Sequence, residues 1–401
     1  MEGVTVEQAV ELILAHTPVI AETEEVGLLE ASGRILARDM EAAFDNPPFD
    51  RSPVDGYACR TEDVAGASKE CPARLTVVEE IDAGQFSRRE VKAGEAVRIM
   101  TGAAVPAGCD CCIRQEDTDY GEETVEIYCP EKKWGNFCFA GEDFKKGTVL
   151  LRQGMRLGYV EAAVLAGMGV ERVPVYRLPR VALLTSGDEV VEPGQVLSPG
   201  KIYNSNLTML EARLMEFGVR PFCAKAVEDD PAVMAEELCR AAKQADLIVT
   251  TGAVSVGKKD IMHESLGQIG AERVFWRVQV KPGMPTLFSV YKGIPVLSLS
   301  GNPFGVAVTV ELLIRPMLQK MMRDESLGLV RVKGVMAEDF EKPIRGRRLV
   351  RAIWEDGVFR LPRGLHSNGV LSSMAGCNCL IDAGPETGRL MEGCEAEAIL
   401  L

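Results

Sequence analysis

Three short apolar runs that each end in a polar, glycine-bearing loop constrain this chain more than any other feature. Val181–Leu184 runs into Thr185-Ser186-Gly187-Asp188-Glu189, Leu247–Val249 into Thr250-Thr251-Gly252, and Ile294–Leu299 into Ser300-Gly301-Asn302-Pro303. Apolar, β-branched runs bounded by glycine loops have the pattern of strands covered on both faces. Val219–Val227 reads as a fourth strand. Helical patterns fall between them: Asn204–Phe217, stopped by Gly218, and a helix from Asp230 to Gln244 with Asp230 as N-cap and Pro231 at its first position. Strands alternating with helices predict a doubly wound α/β domain of about 145 residues. Parallel strands share one direction, so their following loops line one edge of the sheet, where ligands bind in such folds.

That edge carries the candidate chemistry. Gly252 and Gly257 enclose small residues, with Ser255 between them and Lys258 beside them. Bare backbone N–H groups and a helix start favour an anion. Asp260 at the start of the next helix points to a divalent cation accompanying it. Asp188 and Glu189 reach the same edge from another loop and are candidates, with Asp260, to hold the metal. Gly252–Lys258 also fits the start of a phosphate-binding P-loop, GxxxxGK. The next residue there must be Ser or Thr, and here it is Lys259. The loop also follows the third strand of its domain, so a P-loop nucleotidase is not expected.

The flanking regions differ in kind. Thr5 and Gln8 form a capping-box pattern before a helix that ends ahead of Pro18. Asn46–Ala58 holds three prolines and frames Arg51 with Asp50 and Asp55, a stiff loop that is either an interdomain turn or functional. Short β-like runs follow, Arg74–Ile81 and Thr124–Tyr128, with Thr101-Gly102 closing a strand and Gly141-Glu142-Asp143 forming an acidic turn. Val149–Leu151 reads as a strand and Tyr159–Met168 as a helix. After about Glu325 come Val332–Ala337, Arg348–Ile353, Val358–Leu361 and Ala396–Leu400, a small all-β domain with a hairpin turn at Asp356-Gly357. Arg345, Arg347, Arg348 and Arg351 form the densest basic cluster, either a solvated strand edge or an anion site.

Composition narrows the function. A net charge of −14 over 401 residues argues against general binding to nucleic acid or anionic membranes. No apolar run spans a bilayer and no signal region opens the chain, so a cytoplasmic protein is expected. Of the twelve cysteines, those at 109, 111, 112, 377 and 379 crowd two strand-like segments, and they are expected to be core thiols and not a metal or redox site. Three histidines disfavour a zinc site or a Ser-His-Asp triad.

The motifs PPFDRSPVDGYA (47–58), IMTGAAVPAGCD (99–110), LLTSGDEVVEPG (183–194), TTGAVSVGKKD (250–260), VKPGMP (280–285) and SGNPFG (300–305) together resemble the molybdopterin molybdenumtransferases, the MoeA family that includes the gephyrin E domain. The resemblance implies four domains: a split helical domain I (1–44 and 142–178), a β-rich inserted domain II (45–141), the doubly wound, molybdopterin-binding-like α/β domain III (179–324) and a C-terminal β-barrel, domain IV (325–401). It implies an elongated homodimer in which domain II loops of one subunit face domain III of the other, bringing Asp55 and Thr101 to Glu189 and Asp260. The implied reaction inserts molybdenum from molybdate into adenylyl-molybdopterin, releasing AMP, with Mg²⁺ assisting. Asp55, Thr101, Glu189 and Asp260 would act in turnover. Asp143, Ser186, Gly187, Asp229, Gly252, Ser255, Gly257, Lys258, Lys281, Gly301, Asn302 and Pro303 would bind substrate. Implied partners are the adenylyltransferase that supplies the substrate and apo-molybdoenzymes or their chaperones. Departures stand at Met284, where the family has lysine, at Ser300, where it has proline, and at Arg51, Pro53 and Val54. They leave open a tungstate-specialised paralogue beside a molybdopterin-binding scaffold; a pyrophosphatase on the shared α/β domain is the third reading.

Overall fold

The structure is a computed structural model that describes residues 1–254 and 261–401. The chain divides into two compact units, one of Met1–Glu24 with Val175–Leu401 and the other of Glu25–Pro174.

The first unit is built on a seven-stranded sheet. Its order from edge to edge is Glu2–Val4, Glu272–Val278, Thr286–Tyr291, Ile294–Leu299, Leu247–Thr251, Val181–Ser186 and Cys223–Val227. The last four are mutually parallel. Thr286–Tyr291 runs antiparallel to both neighbours, so the sheet is mixed. The apolar runs are continuous because successive side chains enter different cores. Val181, Leu183, Leu247, Val249 and Leu297 pack on one face with the helix Ser205–Glu216 and the chain's first helix. Ala182, Leu184, Ile248 and Val296 pack on the other with Pro231–Ala241 and Ile261–Gln268. Every residue of Val181–Ser186 is therefore buried.

Local signals explain the helix ends. Thr5 and Gln8 exchange the two capping-box hydrogen bonds, at 3.2 and 3.0 Å, and the first helix spans Val6–His16. The Asp230 carboxylate accepts from the amides of Ala232 and Val233. Asn204 caps Ser205–Glu216, and Gly218 follows at φ +81°. The fourth expected strand is shorter than its apolar pattern, Cys223–Val227. The sheet also contains three strands that pattern did not reveal, Glu2–Val4, Glu272–Val278 and Thr286–Tyr291.

A closed five-stranded barrel ends the unit, built from Arg331–Met336, Arg348–Glu355, Val358–Arg360, Cys379–Ala383 and Glu395–Leu400. Asp356 and Gly357 sit at φ +48° and +80°, the left-handed pair that a two-residue hairpin needs. Two arginines of the expected cluster are structural here. Arg347 clamps Asp382 at 2.8 and 2.7 Å and also reaches Glu7. Arg351 is wholly buried and stacks 3.7 Å from the Phe304 ring centroid. It donates to Ser373 Oγ and to the carbonyls of Ser367 and Val370. That grip ties the 367–373 segment of the barrel to the start of helix Pro303–Thr309.

In the second unit a five-stranded sheet runs Cys111–Arg114, Gly56–Cys59, Glu95–Ile99, Ala73–Ile81, Thr124–Ile127. All twelve cysteines are free thiols, and Cys109, Cys111 and Cys112 are buried, as core side chains are. Burial raises the Cys109 thiol and pushes Cys112 up to about 12. Among the described residues no helix is long and apolar enough to cross a membrane.

Candidate active site

Strand order fixes where a ligand fits. From Val181–Ser186 the chain passes to Cys223–Val227 on one side, then returns to Leu247–Thr251 on the other. The two crossovers part there, opening a crevice beyond the carboxyl ends of Val181–Ser186 and Leu247–Thr251. A cleft of about 670 Å³ lies at this point. Ser186, Gly187, Glu189, Asp229, Gly252 and the Ser300–Pro303 loop all line it. Three loops far apart in sequence thus converge as parallel strands require.

Glycine shapes the floor. Gly252 has φ +92°, and a Cβ there would stand 2.2 Å from the Ser186 carbonyl oxygen. Gly301 packs against it, its would-be Cβ 3.5 Å from the Gly252 Cα. Two asparagines stitch the loops together. Asn204 donates to the Thr185 hydroxyl at 2.8 Å while capping its helix at Leu207. Asn206 donates to the Gly301 carbonyl at 2.8 Å and to the Thr251 hydroxyl at 3.4 Å. Its Oδ1 is buried with no partner among the described residues, an acceptor left for a ligand's N–H or O–H. Ser300 has a local role that proline could not fill: its Oγ accepts from the Asn302 amide at 3.2 Å.

The carboxylates differ in how they are engaged. Asp229 takes the Ser186 hydroxyl and, at 3.4 Å, the Asp188 amide. Asp188 in return accepts the Asp229 amide at 3.2 Å. These two brace the loop. Glu189 lines the cleft, exposed, and its carboxylate has no hydrogen-bond or ion-pair partner among the described residues. Among those residues no group of three or more His, Cys, Asp or Glu is placed to hold a metal. Ser255, Gly257, Lys258 and Asp260 lie outside the described residues.

Lys281 is placed elsewhere. It lines a separate cleft of about 640 Å³ with Met284, Arg345 and Arg347. In the second unit, Asp55 accepts both the amide and the hydroxyl of Thr101 at 2.7 Å. The Thr101 hydroxyl, then its amide, hold this exposed carboxyl below its usual range. Gly56 beside it is obligatory, because a Cβ would meet the Ile113 carbonyl oxygen at 1.8 Å. Asp143 accepts from the Asn46 side chain at 2.9 Å.

Comparison with known proteins places this arrangement. The family described as "MoeA N-terminal region (domain I and II)" matches residues 4–169, "Probable molybdopterin binding domain" matches 182–320, and "MoeA C-terminal region (domain IV)" matches 333–401. The molybdopterin molybdenumtransferase of Staphylococcus epidermidis is 35% identical over 381 residues, 94% of this chain and 91% of its own. The chain belongs to the molybdopterin molybdenumtransferase family. The Bacillus subtilis molybdopterin molybdenumtransferase is likewise 35% identical over 401 residues, 97% of this chain and 93% of its own. A crystal structure of the molybdopterin biosynthesis MoeA protein from Pyrococcus horikosii aligns with TM-score 0.84 at 30% identity, covering 99% of both chains.

Sequence reasoning missed several residues of this family member's cleft. Thr251, Asn204 and Asn206 were legible as polar residues at strand and helix ends, but their cross-loop bonds were not. Lys201, outside the lining but bracing the adjoining loop through the Asp188 carbonyl, had no motif to mark it. Gly369 and Leu371 line the cleft from the barrel, and only the tertiary fold brings them there.

Proposed function

We propose that this chain inserts molybdenum from molybdate into adenylyl-molybdopterin, with release of AMP and molybdenum cofactor. The observation that carries the reading is the cleft at the sheet's crossover point, with its glycine floor and, at its edge, Glu189, whose carboxylate has no partner among the described residues. Close backbone approach at Gly187, Gly252 and Gly301 suits a phosphate-bearing ligand. Glu189 fits a hard cation, since Mg²⁺ is commonly held by one or two carboxylates together with substrate phosphates. Asp260 is the proposed second carboxylate. Asp188 is a weaker candidate than its sequence position implied, because its carboxylate braces Asp229. When bound, Mg²⁺ would offset charge growing on the phosphate oxygens. Asn206, Ser186 and the loop amides orient the ligand by hydrogen bonds that need no rearrangement at the moment of reaction.

Near full-length likeness to proteins named as molybdopterin molybdenumtransferases favours the enzyme over a scaffold or a tungstate-specialised form. The chain acts as a homodimer. Support comes from the helix Tyr159–Gly167, where only Leu165 is buried and Tyr159 is 87% exposed. Its substrate comes from an adenylyltransferase and its product goes to apo-molybdoenzymes or their chaperones.

The test is AMP release from adenylyl-molybdopterin, with and without molybdate and Mg²⁺, by the wild type and Glu189→Gln. The expected outcome is AMP release that requires both additions and is lost in the variant. Unfolding of the variant should shift by less than about 0.5 kcal/mol, because the carboxylate is exposed and no described residue depends on it. Full activity in Glu189→Gln would remove the assigned role, and AMP from ordinary dinucleotides without pterin would favour a pyrophosphatase.

A further inference from the structure

One wall of the cleft is apolar and open to solvent among the described residues. Val190–Val191 pairs in parallel with Ile202–Tyr203, making a strap over residues 190–203 that rises from the Glu189 loop. The strap is anchored at its foot by the Ile202 amide on the Glu189 carbonyl at 2.8 Å and the Asn204 amide on the Val191 carbonyl at 2.9 Å. Ile202 and Tyr203 both line the cleft, yet they are 57% and 43% exposed. Among the described residues Tyr203 is the only aromatic side chain that lines it. Its ring is held in place, since its hydroxyl donates to the Gln195 carbonyl of the same strap at 2.9 Å.

An aromatic ring fixed at a cleft mouth, half in water and beside a phosphate-seating floor, is a prepared surface for a flat ring. We infer that Tyr203 is a specificity-determining residue, on which a planar nitrogen heterocycle of the substrate stacks while its phosphate sits on the Gly187–Gly252–Gly301 floor. This rests on the reading of the cleft given above and adds the ring contact to it. Both ends of adenylyl-molybdopterin carry such a ring, the adenine and the pterin. The shared chemistry is a heteroaromatic face linked to phosphate. Stacking on an aromatic side chain tolerates either ring, because each presents a π face.

The experiment compares wild type, Tyr203→Ala and Tyr203→Phe in two assays. Calorimetry measures binding of AMP and of ribose 5-phosphate, which lacks the ring. Steady-state AMP release gives KM and kcat for adenylyl-molybdopterin. Tyr203→Ala is expected to weaken the ring-bearing ligand about five- to a hundredfold. Its kcat should stay within about twofold of wild type, and ribose 5-phosphate affinity should not change. Tyr203→Phe keeps the ring and loses only its tether to Gln195, so it should lose far less than Tyr203→Ala, staying within about threefold of wild type. Weakened AMP binding assigns adenine to Tyr203; unchanged AMP binding with a raised KM assigns the pterin, and either supports the inference. Unchanged AMP binding and KM would overturn it. So would a loss in Tyr203→Phe as large as in Tyr203→Ala, because the hydroxyl's hold on the strap would then be what matters. Should the wild type release no AMP from adenylyl-molybdopterin, the proposed reaction fails, while AMP against ribose 5-phosphate still decides the ring contact.

Discussion

An alanine at position 252 would place its Cβ 2.2 Å from the Ser186 carbonyl oxygen. That is about 1 Å inside a normal carbon–oxygen contact. The obstacle is backbone on an interior strand, with no flexible side chain to swing aside. The residue would also have to hold φ +92°, which costs an L residue about 1–2 kcal/mol. At about 2–4 °C per kcal/mol for a unit of this size, the melting temperature should fall by about 2–8 °C. Relief of the clash moves Ser186 relative to the 252 loop, and with it the loop that carries Glu189. A misplacement of about 1 Å near reacting groups costs about a hundredfold in rate. Gly252→Ala is therefore expected to stay folded and to lose about a hundredfold in kcat/KM for AMP release. Gly267→Ala is the control. This glycine of helix Ile261–Gln268 does not line the cleft, a Cβ there would meet nothing within 4 Å, and its backbone lies outside the left-handed region. Activity within about threefold of wild type is expected there. Equal losses in the two variants, or near-normal turnover in Gly252→Ala, would refute the claim that close packing of these loops sets the site.

Two further substitutions probe the supports. Asn204→Ala removes a helix cap worth about 1 kcal/mol and leaves the buried Thr185 hydroxyl without its donor. Denaturant titration should show a loss of about 2–3 kcal/mol, with weaker AMP binding as the strap loosens. Asp382→Asn breaks the clamp on Arg347, and removing one partner of such a half-buried pair costs about 3 kcal/mol. Burial alone would raise the Asp382 carboxyl, but Arg347 and then Arg331 outweigh it and hold it below its usual range. A depressed carboxyl stabilises the fold above its unfolded pKa, and that contribution is lost as pH falls through the folded value. Acid unfolding monitored below about pH 4 should therefore show less pH dependence in Asp382→Asn than in wild type.

How far the sequence reached depended on whether a feature was local. Val181–Leu184 and Leu247–Val249 were legible because the run of a strand covered on both faces is apolar without alternation. Thr5, Asp230 and Asp356-Gly357 were legible because caps and tight turns are decided by neighbours a few residues apart. Glu272–Val278 was not, since Arg273 and Arg277 interrupt its apolar pattern. Cys379–Ala383 carries Asp382 in mid-strand, which disguised it until Arg347 and Arg331 supplied the partners. The basic cluster stayed open for the same reason: whether an arginine waits for an anion depends on carboxylates and carbonyls that arrive from elsewhere. In the site, glycine and carboxylate positions could be named from motifs. Which carboxylate is braced and which is left open, as with Asp188 and Glu189, depends on Asp229 from a different loop.

The grip of Arg351 on the 367–373 segment means that the cleft and the barrel are not separate pieces of equipment. Asn368 holds the Phe304 amide at 3.1 Å, and Gly369 and Leu371 finish a wall whose base was laid by much earlier residues. As the polypeptide leaves the ribosome, the sheet can form well before its pocket is complete. Damage to the barrel, by a nick or a failed closure, would thus silence the chemistry while leaving every residue of the glycine floor intact.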